Sequence, residues 1–179
     1  MLCHSHGATP SFRSAVARAL APPGGTLHPV TRIHTRQLRS THLDAAVKEM
    51  AAKAARAPQR KAAAGIRGGR PLKKSGLHYT LCWHNATARE EIRRAVAESL
   101  TVLGLDEHQA VLVGRDGPVP HVHVVVNRVS PRDGRAASMA WTGLKLSRWR
   151  RRWEHFPTGR PMAPAEAPLQ DDDTPPTAA

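Results

Sequence analysis

The segment PHVHVVVNRV, from Pro120 to Val129, combines a β-strand pattern with polar side chains at alternate positions. Side chains alternate between the two faces of a strand, so His121, His123, Val125 and Asn127 share one face and three valines share the other. Imidazoles at positions i and i+2 project in the same direction and can bind one divalent metal ion. A half-exposed strand face without a ligand explains the same pattern, so the motif alone leaves both interpretations open.

The chain is strongly basic, with 27 Lys and Arg against 14 Asp and Glu and a formal net charge of +13. Such a surface attracts polyanions, usually nucleic acid, although an Arg-rich proteome would produce part of the same bias. Lys73 and Lys74 belong to a basic, glycine-rich segment, and Arg148, Arg150 and Arg151 to a predicted amphipathic helix. We expect these five side chains to contact a DNA backbone, while a merely solvated linker explains the two lysines equally well.

Length and composition restrict the class of protein. A chain of 179 residues is long enough for one domain with a core and too short for two ordinary ones. Its two cysteines are far apart in sequence and indicate neither a disulfide framework nor a Cys-based zinc site. There is no apolar run of membrane-spanning length and no evident signal segment. These features favour a cytoplasmic location without membrane contact.

Hydrophobic periodicity predicts alternating strands and helices in the middle of the chain. We expect strands at 77–83, 109–114 and 120–129, and the short loop between the last two predicts antiparallel pairing. Helices are expected over 41–57, ended by Pro58; over 87–103, with a Thr87–Glu90 capping box and a stop at Gly104; and over 145–156.

The remaining segments have little periodicity. Residues 1–30 are expected to be poorly ordered, with His4 and His6 exposed to solvent, and 59–76 is expected to be a flexible connection. Residues 161–179 form a predicted disordered acidic tail. The SPRDGR segment predicts a turn, and all four tryptophans are expected in the core.

Four segments together carry a resemblance: HYTLCWH, VLGLDEHQAVLV, RDGPVPHVHVVVNRV and LKLSRW. In this order they resemble the relaxase/mobilisation nuclease (MobA-type) family of the HUH endonuclease superfamily, over roughly residues 31–156. The resemblance implies an α+β fold, an antiparallel sheet with the metal-binding strand central and helices packed on it. It also implies a nuclease that nicks one DNA strand at a transfer origin, using a tyrosine nucleophile and a histidine-bound divalent metal such as Mg, Mn or Zn.

The chain departs from the family pattern at two places. The family spacing H-x-D-x-x-x-x-H-x-H puts Asp116 in the aspartate place but Gly114 in the place of the first histidine. The family nucleophile is a tyrosine near the N-terminus, whereas the one tyrosine of this chain is Tyr79, which stands where the family has a structural aromatic. Residues 1–30 also match the family poorly, as though the original start had been lost or replaced.

The resemblance and the departures together predict a relaxase-like nuclease domain, residues 31–160, with an incomplete catalytic apparatus. We expect His121 and His123 as metal ligands, Asp116 as a catalytic group beside them, and Asn127 orienting a ligand or phosphate. The expected partner is single-stranded DNA at a transfer origin, with accessory mobilisation proteins as further candidates. The alternative is a module that binds single-stranded DNA without cleaving it, or a decaying relaxase remnant.

Overall fold

A computed structural model of the chain describes residues 1–21, 29–67, 72–84, 87–116 and 119–155. Ten elements follow one another within these ranges: β1 (Leu2–Thr9), α1 (Phe12–Leu20), β2 (Arg32–Arg36), α2 (Leu43–Ala55), α3 (Ala57–Ala63), β3 (Gly76–Cys82), α4 (Arg89–Val102), β4 (Ala110–Arg115), β5 (His121–Asn127) and α5 (Thr142–His155). The predicted acidic tail, 161–179, lies outside the described residues.

The five strands form one sheet in the order β1-β3-β5-β4-β2, and every neighbouring pair is antiparallel. The predicted antiparallel pairing of the histidine strand with the preceding strand is confirmed as β5 against β4. Because β5 lies between β3 and β4, the histidine strand is central, as the resemblance implies. The α+β fold is therefore confirmed.

Helices cover both faces of the sheet. On one face α4 and α5 pack on a core that includes Tyr79, Val124 and the fully buried Trp149. On the other face α1 and α2 pack on Val111 and Val125. The alternation of β5 supplies both layers, since its even-numbered valines enter the first core and Val125 enters the second. No helix in the described ranges is long and apolar enough to cross a membrane.

The N-terminal segment differs from the prediction, because most of residues 1–21 is regular structure. The strand β1 pairs along β3, and α1 begins at Ser11, whose Oγ accepts a hydrogen bond from the Ser14 N–H at 3.1 Å. The guanidinium of Arg115 on β4 donates to the last carbonyls of α1, including that of Leu20 at 2.6 Å, and so fixes the helix on the sheet. The segment LCHSHGAT consists mainly of small and polar residues, so its sequence lacks the alternating apolar side chains that predict a strand.

Two helix boundaries also differ from the prediction. Pro58 lies in the first turn of α3, where a missing N–H costs nothing, so part of the expected flexible connection is helical. The predicted capping box is wrong, because α4 begins after Ala88 and has no side-chain cap. Gly104 follows the end of α4 with a φ of 68°, as predicted.

The third predicted helix and the SPRDGR turn agree with the structure. On α5, Leu146 and Trp149 are buried, and the partly buried Trp153 packs against the same core. The turn closes with the Ser130 N–H donating to the Arg135 carbonyl at 2.7 Å. One tryptophan contradicts the prediction of core packing, since Trp141 is 73% exposed just before α5.

Candidate metal centre

Three histidines from three neighbouring strands converge on the sheet face that carries α1. His6 of β1, His78 of β3 and His123 of β5 each direct one ring nitrogen inward, and the three nitrogens lie within 4.8 Å of one another. A bulge in β1 places His6 there, because Ser5 pairs with Tyr79 while Gly7 pairs with His78. We call these three residues the histidine triad.

A threonine hydroxyl links two members of the histidine triad. Thr80 Oγ1 lies 2.9 Å from His6 Nε2 and 2.8 Å from His123 Nδ1, so it fixes the orientation of both rings. His78 Nε2 lies 3.2 Å from His123 Nδ1. Two nitrogens bound to one zinc ion at 2.0–2.1 Å in tetrahedral geometry are about 3.3 Å apart, so this spacing fits two ligands of one ion.

The histidine triad also meets the electrostatic requirement for metal binding. Burial, with a smaller contribution from neighbouring imidazoles, lowers the pKa of His78 to about 3. The same causes lower the pKa of His123 to about 4, and burial lowers the pKa of His6. The rings are therefore neutral near pH 7, which is the form that binds a metal. The buried Nδ1 of His78, the ring nitrogen that does not face His123, has no hydrogen-bond partner in the described part of the chain.

Only one of the two histidines predicted as metal ligands belongs to the triad. His121 lies beside it, with its ring centroid 5.4 Å from that of His123, but its Nδ1 lies 3.2 Å from the Val119 carbonyl oxygen. His4 borders the triad from the other side, 4.7 Å from His6 between ring centroids. The expected solvent exposure of His6 is wrong, because the bulge turns it onto the sheet.

Asp116 and Gly114 lie away from the histidine triad. The carboxylate of Asp116 forms an ion pair with Arg32 on the edge strand β2. Gly114 pairs with Val122, and a Cβ at Gly114 would lie 3.9 Å from Val122 Cγ2, on the face opposite His121 and His123. A histidine at position 114 would consequently point away from the triad. The histidine that the family spacing places at this position could therefore not be a ligand of the triad.

The side chain of Asn127 links neighbouring segments of the fold by hydrogen bonds. Its Nδ2 donates to the Met50 carbonyl and to Gln109 Oε1, both at 3.1 Å, and its Oδ1 accepts from the Val129 N–H at 3.0 Å. The side chain is fully buried and both of its donors are used. The structure therefore does not bring Asn127 to the triad as a group that orients a ligand.

Tyr79 points into the core on the other side of the sheet. It is fully buried, its hydroxyl lies 2.9 Å from Ser99 Oγ, and burial raises its pKa. A nucleophilic phenol must reach the phosphate and lose its proton, and this position prevents both. Tyr79 is therefore a structural aromatic, as predicted.

The predicted DNA-contacting residues are divided between two regions. Lys73 and Lys74 are exposed just before β3, whereas Arg148 and Arg151 are exposed and Arg150 half-buried on α5.

Sequence reasoning missed Arg18, an exposed residue in the last turn of α1 whose charge contributes to lowering the pKa of His6 and His78. Arg18 therefore places a positive charge close to the triad, and only the packing of α1 on the sheet reveals it.

Comparison with known families identifies the class of this protein. The family model for the relaxase nuclease domain, MobA/VirD2-like, matches residues 27–155. The chain therefore belongs to this family, whose members are metal-dependent and act on single-stranded DNA at a transfer origin. No curated protein and no solved structure matches the chain. His6 lies outside the matched residues, whereas His78 and His123 lie within them.

Proposed function

We propose that this chain is a relaxase-type domain that binds a divalent cation and single-stranded DNA on the face of the histidine triad, but cannot form a tyrosyl–DNA bond. The observation that carries the proposal is the convergence of His6, His78 and His123 within 4.8 Å. Family membership supplies the substrate class. The position of Tyr79, buried on the opposite face, supports the loss of covalent chemistry.

Different residues of the site would bind the cation and the phosphate. His6, His78 and His123 would be the ligands, and Thr80 would keep two of the rings in place. A divalent cation, when bound there, would neutralise the charge that builds on a phosphate during strand cleavage. Arg18 would add a second positive charge for the DNA backbone.

A non-catalytic role follows from the chemistry that is missing. Transesterification needs a nucleophile in line with the phosphate in addition to the cation. The chain has a single tyrosine, and Tyr79 hydrogen-bonds Ser99 in the core. The site therefore supports metal-assisted binding of a strand better than it supports nicking and rejoining.

The experiment measures binding and covalent attachment separately. Fluorescence polarisation of a labelled single-stranded oligonucleotide should show tighter binding with Mn²⁺ than with EDTA, and His78→Gln should remove this difference. Affinity should fall about ten-fold or more from low to physiological salt, because neutralised phosphates release counterions. No covalent adduct should appear on denaturing gels with DNA that carries a transfer origin. A stable adduct that Tyr79→Phe abolishes would overturn the proposal.

A further inference from the structure

A pocket lies on the sheet face opposite the histidine triad, between the edge strand β2, its neighbour β4 and helix α4. Its volume is about 270 Å³, and Ile92, Val96 and Leu112 give it an aliphatic floor. Pockets for drug-sized ligands usually measure about 300–1,000 Å³. The size therefore suits a ligand no larger than one nucleotide.

Arginines surround this aliphatic floor. Arg32 and Arg36 of β2 approach from the strand side, and Arg89 and Arg93 from the first turns of α4. Two of these cations are already paired, Arg32 with Asp116 and Arg93 with Glu90.

The other two arginines leave a positive excess at the rim. Arg36 donates to the Asp106 carbonyl at 3.1 Å, and no carboxylate pairs with Arg36 or Arg89 among the described residues. Guanidinium groups bind phosphate through two parallel hydrogen bonds. The rim therefore suits an anion.

We propose that this pocket binds a nucleoside phosphate, with the base on the aliphatic floor and the phosphate at Arg36 and Arg89. A simple anion would not use the apolar floor, and a purely apolar ligand would not use the arginines, whereas a nucleotide uses both. The ligand is either a free nucleotide or one nucleotide of a bound DNA strand. The second source rests on the proposed function.

The position of His121 connects the pocket to the histidine triad. His121 lines the pocket at the start of β5, and its ring centroid lies 5.4 Å from that of His123. A DNA strand that leaves the triad around this end of β5 therefore reaches the pocket within a short distance. A free nucleotide and one nucleotide of a DNA strand would make the same contacts in the pocket, and the experiment distinguishes the two.

Gly114 offers a way to fill the pocket from its floor. An added Cβ there meets Arg32 Cβ at 3.6 Å and Val122 Cγ2 at 3.9 Å, which are ordinary contacts, and the φ of Gly114 is not positive. Gly114→Phe would direct a ring into the pocket, while Gly114→Ala would leave most of it open. The double variant Arg36→Gln/Arg89→Gln removes the two unpaired charges without filling the space. Arg13→Gln, at an exposed residue of α1 on the other face of the sheet, is the matched charge control.

The test uses the full chain and calorimetry with the four deoxynucleoside monophosphates, in EDTA, with inorganic phosphate as the probe for a simple anion. We expect nucleotides to bind at least ten-fold more tightly than phosphate. Gly114→Phe and the double arginine variant should weaken nucleotide binding ten-fold or more, whereas Gly114→Ala and Arg13→Gln should change it little. Equal binding of phosphate and nucleotides, or nucleotide binding unaffected by the double arginine variant, would overturn the proposal.

Competition with single-stranded DNA distinguishes the two sources of the nucleotide. Displacement of a labelled oligonucleotide by nucleotides would assign the pocket to the DNA strand, and simultaneous binding would assign it to a free nucleotide. Both outcomes support the nucleotide site. His78→Gln separates this site from the proposed function, because it should abolish the effect of Mn²⁺ on DNA binding and leave nucleotide affinity in EDTA unchanged.

Discussion

Exchange of single histidines for glutamine should distinguish the ligands of the candidate metal centre from their neighbours. His78 Nε2 lies 3.2 Å from His123 Nδ1 and belongs to the triad. His121 is equally close to His123 between ring centroids, at 5.4 Å, but lies outside the triad. His78→Gln and His121→Gln are therefore a matched pair: the same chemical change at two rings that flank the same histidine.

The expected difference is large enough to measure. Loss of groups that only support metal ligands typically weakens metal binding about 10- to 100-fold, and loss of a ligand should cost at least as much. That corresponds to about 1.4–2.7 kcal/mol in binding free energy for His78→Gln. His121→Gln should change metal affinity by less than about two-fold, because no ligand atom is removed.

Isothermal titration with Zn²⁺ and Mn²⁺ measures both affinities, and the absorption spectrum of bound Co²⁺ reports the ligand set. Thermal unfolding in EDTA serves as the control for folding of each variant. Equal loss of affinity in the two variants, or greater loss in His121→Gln, would refute the assignment of the triad and favour the pair His121 and His123 expected from the sequence.

Three further predictions concern the fold around the two sites. Gly76→Ala should lower the free energy of unfolding by about 1–3 kcal/mol in urea titration, because the new Cβ would lie 2.6 Å from Thr9 Cγ2 at the junction of β1 and β3; unchanged stability would show that this contact relaxes freely. Tyr79→Phe should cost about 1 kcal/mol through loss of the hydrogen bond to Ser99 and leave DNA affinity unchanged; a loss of DNA affinity in the folded variant would contradict its structural role. Burial lowers the pKa of His108 below 6.5, so the folded protein holds fewer protons than the unfolded chain and loses stability as pH falls below 6.5. His108→Leu should therefore lose less stability between pH 7 and pH 5 than the unmodified protein, and identical losses in urea titrations would rule out this contribution.

The sequence was sufficient for the central part of the fold. The alternation of β5, the apolar run of β4 and the helical period of α4 and α5 are local signals, and the short loop between β4 and β5 allows little except antiparallel pairing. Edge strands lack such signals. In β2 every residue is exposed or only half-buried, so its sequence shows no buried face to detect.

The histidine triad was predictable only in part, since its three residues come from strands far apart in sequence. His123 was identifiable from the H-x-H pattern, but the choice between His121 and other partners depends on cross-strand register, which sets Thr80 opposite His123 and His78 opposite Val125. His6 depends in addition on a bulge between Ser5 and Gly7. An inserted residue of this kind reverses the face of a side chain, and single-sequence periodicity contains no marker for it.

The assignment of the histidine triad is tested most directly by the position of a bound metal. A crystal of the protein soaked in Mn²⁺, measured at a wavelength where manganese scatters anomalously, should contain one strong anomalous peak bonded to His6, His78 and His123. A peak bonded to His121 or Asp116, or no peak at a saturating concentration of Mn²⁺, would contradict the account.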